Sequence, residues 1–418
     1  MSDLLSSFKE KTSKIKDEGI NRIAEFDVMY SSGFLALDYL NGTLVHVESE
    51  DRNYSYDSVG IVDGSSNVII GRSGSGKSTL CVQIAGNIVR PFIKQGLPTG
   101  LFIDDIEGGL SFTRKCFLLG LTQEEMNDYV IIRNTGITTE NVLQRVKAIR
   151  DEKTQHRKKY EYDTGLFDTN GNRVTKLIPT VYLVDSLPTL LPKEVTEEDE
   201  LAGSMTPSSV AKSNTMFAKQ IVQWTKEANI IFFTINHINE DVNLSFIPKA
   251  AQISGLKQGE RLPGGRVTTY LANNMFRVDD SITLKEKDGF GINGSVVTLT
   301  LIKSRTNATK RSVPLVFNKT EGRFDEILSL FQLLKNEGKI EGAGVSQYID
   351  GANDVKFSQK SFKEKLENSP ELQEAFAKVC YNTLKPYLSD TKTVLDDVSS
   401  ANNNILNMFN KFATEGIV

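Results

Sequence analysis

The chain has 418 residues, of which 39% are apolar and 24% charged, with a formal net charge of −4. That composition fits a soluble protein with one large core and a smaller appendage, and no apolar stretch approaches the roughly 20 residues of a membrane-spanning helix. Three scattered cysteines (Cys81, Cys116, Cys380) and three distant histidines (His46, His156, His237) argue against a disulfide framework or a zinc cluster, and the small negative charge confines any nucleic-acid contact to local basic patches.

Residues 1–30 read as helical, with Leu4, Phe8, Ile15, Ile20 and Ile23 among lysines and glutamates. This segment either packs on its own core or serves oligomerisation. The opening Met1-Ser2-Asp3-Leu4-Leu5 does not read as a secretion signal, and with so few cysteines a reducing, intracellular location is expected. From about residue 31, strands and helices alternate. The runs at 67–70, 100–103, 181–184 and 230–235 are almost continuously apolar, as parallel strands covered on both faces require. Residues 151–178 stand apart as an insert, with a turn at Asp168-Thr169-Asn170-Gly171-Asn172 that predicts a hairpin. Alternation at 297–301 and a further run at 313–317 predict an antiparallel extension of the sheet. Residues 326–418 are more polar and predict a C-terminal, mostly helical domain. The expected fold is therefore α/β, with a mainly parallel sheet flanked by helices over about 31–325.

The sharpest signal is Gly71-Arg72-Ser73-Gly74-Ser75-Gly76-Lys77-Ser78-Thr79, which fits the phosphate-loop pattern G-x-x-x-x-G-K-[ST]. It follows an apolar run and precedes Leu80, Ile84 and Ile88 at helical spacing, so a strand leads into a loop and then a helix N-terminus that favours anions. Glycines let successive N–H groups turn inward on the phosphates, Lys77 adds a cation, and the Ser78 hydroxyl is placed to ligate Mg²⁺. ATP with Mg²⁺ is the expected ligand. Tyr182-Leu183-Val184-Asp185-Ser186 is an apolar strand ending in a carboxylate, suited to hold the same metal through water. The segment Asp104-Asp105-Ile106-Glu107-Gly108-Gly109 offers a base for the attacking water: Glu107 first and Asp105 second, unless these acids merely cap the next helix.

Taken together, the phosphate loop, Phe102-Ile103-Asp104 with Glu107, Val184-Asp185-Ser186, Thr234-Ile235-Asn236-His237, Gly264-Gly265 and Lys303-Ser304-Arg305-Thr306 resemble the RecA family of recombinases. The Asn-His pair and the Lys-Ser-Arg-Thr run are nearer to its phage members than to its bacterial ones. The resemblance spans about residues 30–325 and is faint beyond. It implies a RecA-like ATPase core and a sensor role for His237 at the γ-phosphate. It also implies that Lys303 and Arg305 reach the ATP of a neighbouring subunit; a solvated basic turn is the plainer account of the same residues. Two loops would touch DNA. The first, about 192–209, is acidic. The second, about 241–269, carries Lys249, Lys257, Arg261 and Arg266 with Gly264 and Gly265. Such a basic, glycine-rich loop suits a single-strand backbone, although an ordinary surface loop has the same composition.

The function so implied is an ATP-dependent homologous recombinase, a DNA-dependent ATPase that forms helical filaments on single-stranded DNA and pairs it with a duplex. Its implied partners are both forms of DNA, further copies of itself, a single-strand-binding protein and a loading mediator, with a host cytoplasm as the setting for a phage protein. The rivals are a hexameric replicative helicase on the same core and a non-hydrolysing mediator that binds ATP and DNA. Basal and DNA-stimulated ATPase separate the mediator from both enzymes. The insert at 151–178 and the stretch at 43–62 match no feature of the family.

Overall fold

The structure is a computed structural model that describes residues 28–168, 171–194, 207–240, 255–263, 267–285 and 292–390. Nine strands form one sheet: β1 (Ser66–Gly71), β2 (Gly100–Asp105), β3 (Val130–Arg133), β4 (Thr180–Asp185), β5 (Ile230–His237), β6 (Asn274–Leu284), β7 (Gly294–Lys303), β8 (Arg311–Asn318) and β9 (Arg323–Asp325). Their order is β9-β8-β7-β6-β1-β5-β4-β2-β3. From β3 to β6 every pairing is parallel, and from β6 to β9 every pairing is antiparallel. The fold is thus α/β, with a mostly parallel mixed sheet.

Side-chain alternation along β4 divides the interior into two layers. Val181 and Leu183 face one cluster with Ile69, Leu101, Ile103, Phe233 and Ile235. Leu80, Ile84 and Ile88 of α1 (Lys77–Lys94) cover it, so the helical spacing read from the sequence is the buried stripe. Tyr182 and Val184 face the opposite cluster, where α3 (Thr139–Gln155) supplies Val142 and Val146 and α4 (Pro207–Ala228) supplies Phe217 and Ile221. Beside α1 lies α2 (Phe112–Leu119), packed so closely that a Cβ on Gly86 would sit 2.6 Å from the Leu119 carbonyl oxygen.

The described C-terminal residues, 326–390, do not form a core apart. Phe331 of α5 (Glu326–Asn336), Phe357, Phe362 of α6 (Phe362–Asn368) and Phe376 of α7 (Pro370–Leu384) belong to the same apolar cluster as Leu80 and Ile84. Rings of this group meet at 4.7–5.2 Å between centroids for the pairs 331/362, 357/362 and 362/376.

Several boundaries differ from the sequence reading. Met29–Tyr30 pairs antiparallel with Ile61–Val62, so the helical span expected for 1–30 stops short of these residues; 1–27 lie outside the described residues. The stretch 43–62 contains a hairpin of Thr43–Ser49 with Arg52–Ser58. In the 151–178 segment the expected hairpin strands do pair, Glu161–Phe167 with Arg173–Leu177, but residues 151–155 belong to α3. The first expected DNA loop ends earlier than 209, because α4 starts at Pro207. The second is not loop throughout: Glu260–Arg261 pairs with Asn239–Glu240, and Val267–Leu271 is helical. Among the described residues, no helix is long and apolar enough to cross a membrane.

Candidate functional site

Gly71 closes β1, and the chain then turns through Arg72, Ser73 and Gly74, all exposed, into α1. Gly74 and Gly76 have φ of +80° and +86°, a region L side chains rarely adopt. A Cβ on Gly76 would also lie 3.0 Å from the Phe324 ring, and one on Gly71 only 2.6 Å from the Val278 carbonyl oxygen. The pattern's first and last glycines are therefore held by close packing, the last also by its backbone conformation. Lys77 is buried, and its Nζ donates to the Arg72 carbonyl at 2.6 Å, arching across the loop. Ser75 Oγ is buried with no partner. Thr79 is buried behind the loop.

The C-terminal ends of the parallel strands carry the acids. In the sheet order β5 lies between the loop-bearing strand β1 and β4, so His237 ends one strand from each of them. Such an edge, where connections diverge, is the usual ligand crevice of an open parallel sheet. The Ser78 hydroxyl lies close enough to the Asp185 carboxyl to favour its charged form. Burial nevertheless raises Asp185 above the usual carboxylate range, against the lowering by Ser78, and the charges of Glu107 and Asp105 add to the rise. Its Oδ1 is buried without a partner. An orphaned carboxylate oxygen beside a hydroxyl is a donor set that fits Mg²⁺, with Ser78 and Asp185 as the residues that would hold it.

Glu107 follows β2 on a turn tied to β4: the N–H groups of Ile106 and Glu107 both donate to the Asp185 carbonyl, at 2.8 and 3.3 Å. Its Oε1 accepts from Ser186 Oγ and lies 2.9 Å from His237 Nε2. Burial pushes Glu107 upward, but the bonds from Ser186 and His237 and the charges of His237 and Lys77 outweigh it and hold the carboxyl below its usual range. Asp105 is differently placed. Its side chain is buried, with Oδ2 2.5 Å from Lys115 Nζ and Oδ1 accepting from the Gly108 N–H at 2.8 Å. An acid closed in this way is ill suited to take a proton from water, whereas Glu107 is one-third exposed.

His237 is linked onward. Its backbone N–H donates to Asn236 Oδ1 at 2.7 Å, while the buried Asn236 Nδ2 donates to Pro263 O at 3.1 Å and Thr268 Oγ1 at 2.8 Å. The polar chain thus runs from Glu107 to the segment that carries the candidate DNA contacts. Of those, Lys257 and Arg261 are exposed; Lys257 Nζ is 3.7 Å from Asp279. Lys249, Gly264, Gly265 and Arg266 lie outside the described residues.

Lys303 and Arg305 are not at the phosphate loop of their own chain. Because β7 runs antiparallel, Lys303 pairs with Met275, which pairs with Val68, whereas Gly71 lies opposite Val278. Lys303 Nζ donates to the carbonyls of Thr269 and Ala272 at 2.5 and 2.6 Å. Burial, and then the charge of Arg305, lower its pKa. Arg305 itself is exposed.

Sequence reasoning assigned no role to Ser186, Lys115 or Arg277. Arg277 is buried in β6, forks onto Glu260 at 2.6 and 2.9 Å and onto Asp279 at 2.7 and 2.8 Å, and donates to Gly255 O at 2.9 Å. It roots the 255–261 segment on the strand beside β1. An arginine flanked by apolar residues was the only signal in the sequence that could have marked it. No protein-family profile matches this chain, and no curated protein matches it.

Proposed function

We propose that the chain is an ATP-dependent homologous recombinase: it polymerises on single-stranded DNA with ATP at each subunit contact, and pairs the bound strand with a homologous duplex. The observation that carries this reading is the polar chain Glu107–His237–Asn236–Thr268, which joins a hydrolytic carboxylate to the root of a basic, glycine-rich segment. A simple nucleotide hydrolase has no need of that connection.

In this reading the phosphate loop and Lys77 bind the triphosphate, and Ser78 and Asp185 would hold Mg²⁺, which would supply neutralising charge to the phosphates. Glu107 orients the attacking water and takes its proton. His237 exchanges Glu107 for the γ-phosphate, and Asn236 passes the shift to Pro263 and Thr268, so nucleotide state biases the segment holding Lys249, Lys257, Arg261 and Arg266. Those cations contact backbone phosphates, and base pairing supplies the sequence information. Arg305 reaches the neighbouring subunit's ATP, a role with which its exposure and its distance from its own phosphate loop are compatible.

The test is negative-stain microscopy with single-stranded DNA and a non-hydrolysable ATP analogue, alongside ATPase assays with and without DNA. Continuous helical filaments and DNA-stimulated hydrolysis are the expected results. Discrete six-fold rings would replace the reading with a helicase, and an absence of turnover would replace it with a mediator.

A further inference from the structure

We propose that Lys115 is a positioning residue for Glu107, stapling the turn that carries it. The inference rests on the reading of Glu107 as the hydrolytic carboxylate. Lys115 lies on α2 and is 5% exposed. A buried ammonium is costly unless its donors are satisfied, and here two partners converge on it from opposite ends of one turn. Asp105 Oδ2, at the start of the turn, lies at 2.5 Å, and the Leu110 carbonyl, at its end, accepts a second bond. The other oxygen of Asp105 accepts from the Gly108 N–H at 2.8 Å. One lysine and one aspartate therefore close a six-residue turn, with Glu107 in its middle.

The turn needs such closure. Gly108 sits at φ +64°, and a Cβ on either Gly108 or Gly109 would meet nothing within 4 Å. Two adjacent glycines without packing neighbours leave the backbone with more freedom than any other pair of residues. The other restraints are the N–H bonds from Ile106 and Glu107 to the Asp185 carbonyl, the bonds of the Glu107 carboxylate to Ser186 and His237, and the packing of Leu110 on the main apolar cluster; none of them ties Gly108. An apolar pair of similar volume would fill the same space with little loss of stability, but it would tie neither Gly108 nor Leu110. What the ion pair adds is directional hold on the segment after Glu107, and an error of about 1 Å there is enough to slow a positioned reaction on the order of a hundredfold.

The test uses the full chain and the double variant Lys115→Met/Asp105→Asn, which leaves no lone buried charge; Lys115→Met alone would strand a carboxylate. Hydrogen exchange of amides 106–110 in nucleotide-free protein is expected to quicken about tenfold, with exchange elsewhere unchanged. Single-turnover ATP hydrolysis is expected to fall about tenfold to a hundredfold, with the Kd for ATP within about twofold of wild type. Unchanged exchange or an unchanged hydrolysis rate, alongside an inactive Glu107→Gln chain, would overturn the role of Lys115 and leave Glu107 in place. Full hydrolysis in Glu107→Gln itself would overturn the reading of Glu107, and with it this inference.

Discussion

The two ends of the parallel strands use lysine in opposite ways. At the C-terminal end, Lys77 spans its own loop to the Arg72 carbonyl, beside a buried Ser75 hydroxyl and an Asp185 oxygen that have no partners. At the N-terminal end, Lys153 is buried against the carbonyls of Ile178 and Asn229 and the Thr180 hydroxyl, at 2.7, 3.2 and 3.3 Å, and Lys303 is held by two carbonyls. At one end the side chain spans a loop, and at the other it ties strands together. Buried polar atoms without a partner occur at both ends, Ser66 Oγ at the start of β1 and Thr269 Oγ1 among them, so the contrast lies in what each lysine holds.

Substitutions that treat the two ends alike should therefore give opposite results. The largest effect is expected for Lys77→Ala: nucleotide binding or turnover should be lost while the thermal midpoint stays near wild type, as ATP titration and calorimetry would check. Preserved turnover would remove the contrast altogether. Arg305→Ala and Lys303→Ala sharpen it within one loop. Arg305→Ala should leave stability unchanged and depress assembly-dependent hydrolysis by up to about a thousandfold, the scale of a cation supplied by a neighbour. Lys303→Ala should cost about 1–3 kcal/mol through two abandoned carbonyls, read from denaturant midpoints. An Arg305→Ala chain with normal DNA-stimulated hydrolysis would return that residue to the solvated surface.

The last prediction concerns pH. Burial lowers Lys153 to about 7. Unfolded, the lysine holds its proton up to about pH 10.4, so between pH 7 and 10 the unfolded chain binds more protons than the folded one. This group therefore makes stability rise with pH across that window and adds no slope below it. Lys153→Met should flatten the rise, seen by comparing urea midpoints at pH 7 and pH 9.5. An identical rise in the variant would assign the slope to other groups.

The parts of the fold that were plain in the sequence are those where burial alone decides. β1, β2, β4 and β5 are apolar because both faces are covered, and α1 shows its stripe at helical spacing. β3 escaped notice because it is four residues on an edge, too short to carry a period. β6 escaped because Arg277 and Asp279 interrupt it, and nothing local shows that they neutralise each other and Glu260. The candidate site divides in the same way. Its 71–79 loop is contiguous, so its pattern could be read directly from the sequence. Ser186 and Lys115 act through partners 79 and 10 positions away, a relation that only the folded chain creates.

The continuous apolar cluster that joins Phe331, Phe357, Phe362 and Phe376 to α1 has a practical side. A cut after Asp325 would not free a lobe; it would strip the cover from the helix behind the phosphate loop and leave two sticky halves. Gene fusions, fluorescent tags and affinity handles belong instead at the hairpin tip formed by Glu50 and Asp51, where both residues face water, provided the linker leaves the stack of Arg52 on the Phe167 ring intact.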